Sequence, residues 1–246
     1  MLLLPEVYVI EEDTAVLLKE YVANGGLLIS SGQSGLWNAD STKRPASSIS
    51  ELFGTGGAAI NTEYTANRWS AYLKNTETKS FSGLLYCTTP PVSEHFIETE
   101  SAAAAETLLT FVLPCVSCDA EHWVNWWSPP PGKDAELPAL LCNSIEKGRT
   151  YYMAFDFFTM ASLESFQYPH ELFRDLLEME AITPAVRNNT DLHEAIRTAY
   201  FETKDSWIIH QISMVPKRFH GDAYPLSGGT LEITQPVGQI EMVYPG

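Results

Sequence analysis

The sequence predicts an α/β domain on a parallel sheet, residues 1–180, followed by a small antiparallel β domain, residues 181–246. Three observations predict it. Leu2–Ser31 reads as an apolar run, an amphipathic helix, a double glycine and a second apolar run, which is one β-α-β unit. A hairpin of apolar runs leads into a second amphipathic helix, Pro169–Met179. After residue 181 helical periodicity stops, and short apolar runs alternate with polar turns.

The first strand lies in LLLPEVYVI, and its near-continuous apolar character suits a parallel strand covered on both faces. The helix opens with Glu11, Glu12 and Asp13, whose charges favour the positive end of the helix dipole. Leu17, Leu18, Tyr21 and Val22 are its expected apolar stripe. Gly25 or Gly26 supplies the left-handed residue that ends it. Leu27, Leu28 and Ile29 form the next strand, and a crossover of this kind is right-handed.

Residues 32–50 are rich in Gly and Ser and read as a long loop, and Ser48–Phe53 reads as a short helix closed by Gly54. Phe81–Thr88, Glu94–Thr99 and Leu108–Leu113 read as strands, with a helix or turn at Ala102–Ala105. Pro129–Gly132 breaks the chain after the aromatic run His122–Trp127. Pro138–Asn143 and Arg149–Phe155 flank the tight turn Glu146-Lys147-Gly148, a hairpin signature. Asp156–Glu164 reads as a loop, and the helix after it carries Leu172, Phe173, Leu176 and Leu177 on one side. In the second domain, strands are expected at Ile182–Arg187, Glu194–Glu202, Trp207–Ile212, Thr230–Thr234 and Gln239–Tyr244, together a small sandwich.

Composition narrows the function. The chain has 246 residues, of which 45% are hydrophobic, ample for a core. Its formal charge is −16, from 31 acidic and 15 basic residues. Such a balance repels phosphate, which argues against nucleic acid and anionic membranes as partners. No run reaches the roughly 20 apolar residues of a membrane helix. The opening run has no basic flank and is interrupted by Pro5 and Glu6, unlike a signal peptide, so the expected location is cytoplasmic. The α/β domain is expected to lack its first strand and helix, and the β domain to be cut at Tyr244–Gly246.

Four cysteines do not make a disulfide scaffold. Cys115-Val-Ser-Cys118, with His122 four residues on, has no second ligand pair for zinc. Asp119 and Glu121 place negative charge where a reactive thiolate needs positive charge. The expectation is no metal and no cofactor.

The string LPEVYVIEEDTAVLLKEYVANGGLLISSGQSGLWN resembles the trimerisation domain of family 42 β-galactosidases and related bacterial glycoside hydrolases. The likeness rests on the L-P-E opening, the helix ending K-E-Y-V-x-x-G-G and the L-I-x-S strand. PALLCNSIEKGRTYYMAFDFF is similar to the family's P-A-x-x-x-N-x-x-x-K-G-R-x-x-Y element, with FRDLLEM as the helix behind it. AYFETKDSWIIHQIS resembles a strand pair of the β domain that follows in such proteins, where H-L-V-N is frequent. His210 stands here, but Gln211-Ile212-Ser213 departs from that pattern. The resemblance covers residues 1–55 and 137–215. It implies a class I glutamine-amidotransferase-like, flavodoxin-like fold. It also implies self-association as a trimer or dimer and a catalytic (β/α) barrel that this chain does not contain. The implied role is a non-catalytic scaffold of a carbohydrate-active hydrolase.

Two rivals are a carbohydrate-binding module and a free-standing hydrolase or amidase. Amidotransferases of this fold need a Cys at a strained elbow, G-x-C-x-G. The matching strand end here is Leu28-Ile29-Ser30-Ser31-Gly32, with Ser30 nearest and no Cys. His170-Glu171 fits the first turn of a helix opened by Pro169 better than a catalytic element. Glu6, Glu94, Glu98 and Asp156 lie near strand ends, but spacing pairs none of them for glycosidase work. No catalytic residue is expected. The expected ligand-binding residues are Trp123, Trp126 and Trp127, whose indole faces suit the C–H face of a sugar.

Overall fold

A computed structural model describes residues 1–77, 79–84, 87–118, 129–163, 166–189, 196–213, 230–234 and 236–241. The chain divides into two compact units, Met1–Leu176 and Leu177–Gly246.

The first unit is built on a seven-stranded mixed sheet. In chain order its elements are β1 (Leu2–Leu4), α1 (Glu12–Ala23), β2 (Leu27–Ser31), α2 (Ser50–Phe53), β3 (Thr55–Ile60), β4 (Trp69–Asn75), β5 (Pro91–Ser93), β6 (Ile97–Ser101), β7 (Glu106–Pro114), β8 (Pro131–Ile145), β9 (Gly148–Met153), α3 (Phe157–Leu163) and α4 (Tyr168–Met179). The sheet order is β1-β2-β9-β8-β7-β4-β5, and β3 pairs with β6 in a separate ribbon.

The opening β-α-β unit forms as its sequence predicts. β1 runs parallel to β2, with Leu2 opposite Leu28 and Leu4 opposite Ser30. α1 closes on Gly25 at φ 101 and α2 on Gly54 at φ 62. The buried stripe of α1 is Ala15, Leu18 and Val22. The expected stripe is therefore corrected: Leu17 is 64% exposed and Tyr21 is half-buried. The spacing 15, 18, 22 is that of a single helix face, and Leu17 lies about a quarter-turn away from Leu18.

The sheet is parallel only across β1, β2 and β9. From β9 onward every pairing is antiparallel. The reason is chain length. Two residues join β8 to β9, and a link that short permits only an antiparallel pair, whereas a parallel one needs a crossover of about a dozen residues. Between α2 and α3 the described residues hold one 3-10 turn, Ser82–Leu84, where the sequence predicts a strand.

Neither β3 nor β4 was expected: Gly56, Gly57, Ala58 and Ala59 give β3 no apolar period, and β4 pairs with β7, far along the chain. α3 replaces the loop expected at 156–164. Phe157 and Met160 are buried, and the Thr159 N–H donates to Asp156 Oδ1 at 3.2 Å, a side-chain cap.

Aromatic packing fills the core. Phe53 stacks on Tyr152 at 5.0 Å, and Phe96, Phe111, Phe155 and Phe157 follow one another at 4.6, 6.2 and 6.1 Å. Burying each such ring contributes about 1.5–3 kcal/mol. Thr150 Oγ1 and Asn143 Nδ2 both donate to the Leu52 carbonyl, at 2.6 and 3.0 Å, satisfying an orphan group at the end of α2.

The second unit holds β10 (Val186–Asn189), β11 (Ile196–Glu202), β12 (Trp207–Ser213) and β13 (Thr230–Ile233). β10 pairs antiparallel with β13, and β11 with β12 through a turn closed by Thr203 and Ser206. These are two separate ribbons among the described residues. The described part of the expected strand 239–244 has no strand structure. No described helix is long and apolar enough to cross a membrane.

Candidate functional site

Three parallel strands side by side bring their carboxyl ends together. β1 ends at Leu4, β2 at Ser31 and β9 at Met153. The chain then delivers Glu6, Gln33 and Asp156 to one place. In open α/β sheets this edge is where ligands bind. His95 joins from between β5 and β6, held by the bridge between Phe96 and Phe155.

Glu6 is the hub. Its Oε1 lies 3.3 Å from His95 Nε2 and accepts the Gln33 backbone N–H at 3.3 Å. Its carboxyl group also lies near enough to Asp156 for each to shift the other's ionisation. Gln33 Nε2 lies 2.8 Å from His95 Nε2, and Gln33 Oε1 accepts the Trp37 indole N–H at 2.8 Å. Glu6 and Glu94 adopt φ values of 53 and 61. For residues with a Cβ that conformation costs about 1–2 kcal/mol each. Gly32 makes room for the hub: a Cβ there, at φ 56, lies 2.4 Å from Glu6 Oε1. The buried Tyr152 hydroxyl donates to the Gly32 carbonyl at 2.7 Å.

The electrostatics follow from this crowding. Burial and the neighbouring Glu6 carboxylate push Asp156 up to about 6. Burial also pushes Glu6 up, but His95, Asp156 and the Gln33 N–H around its carboxyl group outweigh that and hold it below the ordinary carboxylate value. The Glu6 hydrogen bond raises His95 above the ordinary imidazole value, against the effect of burial. Tyr8, close by and 47% exposed, is raised by partial burial and by the charges of Glu6, Asp156 and Glu94.

The cluster can hold and move a proton. Among the described residues no group of three His, Cys, Asp or Glu side chains is arranged to hold a metal.

Ser30 is fully buried within β2 and donates to the Leu4 carbonyl at 3.4 Å. No elbow exposes it. His170 is exposed on the first turn of α4, beside Glu171, which pairs with Arg174. Cys115 is exposed and Cys118 half-buried, and neither is in a disulfide. Trp123, Trp126, Trp127 and His122 lie outside the described residues. The described residues on either side are pinned: Cys118 N–H donates to Asn67 Oδ1 at 2.6 Å, and the Tyr72 hydroxyl to the Pro129 carbonyl at 2.5 Å.

Of the four strand-end acids expected from sequence, Glu6, Glu94 and Asp156 meet here, whereas Glu98 accepts from Asn61 Nδ2 at 2.6 Å; His95 and Gln33 were not expected. The signal was the residue just beyond each parallel strand, which the strand register brings into line. His95 arrives from a stretch whose pairing has no periodic signature.

No protein-family model matches the sequence, and no curated protein matches it. Solved structures do. An α-L-fucosidase isoenzyme 2 from Paenibacillus thiaminolyticus is similar with a TM-score of 0.70 and 19% identity, over 96% of this chain and 34% of its own. The cold-adapted β-galactosidase from Rahnella sp. R3 is similar with a TM-score of 0.59 and 17% identity, over 86% of this chain and 27% of its own. A β-galactosidase from Bacillus circulans sp. alkalophilus gives 0.58 and 14%, over 84% and 26%. At these identities the likeness is one of fold. The chain spans about a quarter to a third of the length of these glycoside hydrolases.

Proposed function

We propose that this chain is the non-catalytic scaffold portion of a carbohydrate-active glycoside hydrolase, acting beside a catalytic barrel carried elsewhere. One observation carries this reading: nearly the whole chain is similar in fold to a minor share of several such hydrolases. The site adds support. Ser30 is sealed inside a strand, with no exposed elbow to present it as a nucleophile.

In this reading the first unit is flavodoxin-like and amidotransferase-like, and it self-associates as a trimer or dimer in the cytoplasm. Val16 and Leu17, 49% and 64% exposed on α1, suit burial against another surface. Trp123, Trp126 and Trp127 are the proposed sugar contacts. Light scattering and aryl-glycoside and glutamine turnover on this chain test the proposal. Self-association without turnover is expected. A strict monomer, or turnover abolished by Ser30→Ala or Glu6→Gln, overturns it. Sugar binding that survives Trp126→Ala with Trp127→Ala removes the tryptophans from it.

A further inference from the structure

Gln33 stands between a fixed donor and a contested ring nitrogen. The Trp37 indole N–H, 2.8 Å from Gln33 Oε1, can only donate. It therefore decides which end of the amide faces it. The opposite end, the Nε2 amide group, points at His95 Nε2 from 2.8 Å. An amide NH2 also only donates. His95 satisfies that contact only as a neutral ring, with Nε2 bare and the proton on Nδ1. The same Nε2 lies 3.3 Å from Glu6 Oε1. A carboxylate accepts, so this second contact requires a proton on Nε2. One nitrogen cannot meet both demands at once.

We propose that His95 is a proton-operated latch on Trp37. With the ring neutral, Gln33 bridges His95 to the indole. When Nε2 takes a proton from solvent, the ring donates to Glu6, the Gln33 amide is expelled, and Trp37 loses its acceptor. Only an N–H bond forms or breaks. The titratable groups that face His95 are Glu6 after β1, Glu94 in its own turn and Asp156 after β9. All three are acidic, so the latch opens at a higher pH than a free histidine would titrate. Trp37 reads the change into the loop after β2, because its backbone N–H donates to the Tyr8 carbonyl and it bridges Val9 and Lys43. The state of His95 thus governs how that loop is tied to the segment after β1. This holds whether or not the scaffold role is right.

The Trp37 indole N–H resonance, assigned with Trp37→Phe, tests the latch in a pH titration. Expected is a change in shift at the midpoint of the His95 ring signals, with exchange below it roughly three- to tenfold faster relative to a free indole at the same pH as one hydrogen bond is lost. In Gln33→Glu the carboxylate accepts from both neighbours, and the Trp37 signal is expected to hold steady through that midpoint. A wild-type Trp37 signal that ignores the His95 titration overturns the latch. So does a response that persists in Gln33→Glu or His95→Asn.

Discussion

Asp156→Asn should stabilise the protein at neutral pH, an unusual outcome for a buried polar residue. Asp156 is 5% exposed, and its pKa is pushed from 3.8 to about 6. The folded state therefore holds this proton more tightly than the unfolded chain does. Stability is undiminished below about pH 4, falls as pH rises towards 6, and stays reduced above it. The full loss is about 3 kcal/mol, from roughly two pKa steps at 1.36 kcal/mol each. At pH 4.5 it is only about 1 kcal/mol. Asparagine keeps the cap, since its Oδ1 still accepts the Thr159 N–H, and its amide can donate to Glu6. Because Glu6 and Asp156 influence each other's ionisation, the expected net gain at pH 7.5 is about 1–2 kcal/mol. For a unit of this size that raises the melting temperature by roughly 2–8 °C. Scanning calorimetry at pH 4.5 and 7.5 measures it. Equal destabilisation at both pH values would refute the reasoning, because it would mean a charged Asp156 is needed.

Three further outcomes follow from the packing. Gly32→Ala should cost about 1–2 kcal/mol from the left-handed backbone and displace the Glu6 carboxylate; denaturant melts and the His95 titration midpoint report the two effects separately. Phe155→Ala should cost about 3–5 kcal/mol in urea unfolding, since the ring is fully buried between Phe111 and Phe157. Leu17→Glu should change monomer stability by less than about 0.5 kcal/mol, yet weaken self-association measured by light scattering, because the side chain is 64% exposed.

The opening unit was legible because each of its signals is local. Acidic residues start α1, an apolar face packs it, and Gly25 ends it. The middle of the chain was not legible. β3 is built largely from Gly and Ala, and β4 pairs with β7, a partner far along the sequence. α3 carries no charged residue, so it shows little contrast between faces. The candidate site was half legible. Its acids sit where strand ends were expected, but only the register of β1, β2 and β9 makes Glu6 and Asp156 neighbours. His95 owes its place to the backbone links of Phe96 and Ile97 to Phe155, Ala154 and Asn61.

The position of β9 in the sheet has a consequence for how the protein is made. Leu27 in β2 pairs with Arg149 in β9, so the inner edge of β2 stays open until the final hairpin arrives. A ribosome that has released β2 must still deliver everything up to Met153 before that strand finds its second neighbour. Closing so long a stretch of chain is slow, and an apolar strand waiting half-paired is exposed to wrong partners meanwhile. Folding of the first unit is thus governed by its last strand, and a nascent chain stalled before β9 is the species a chaperone would meet.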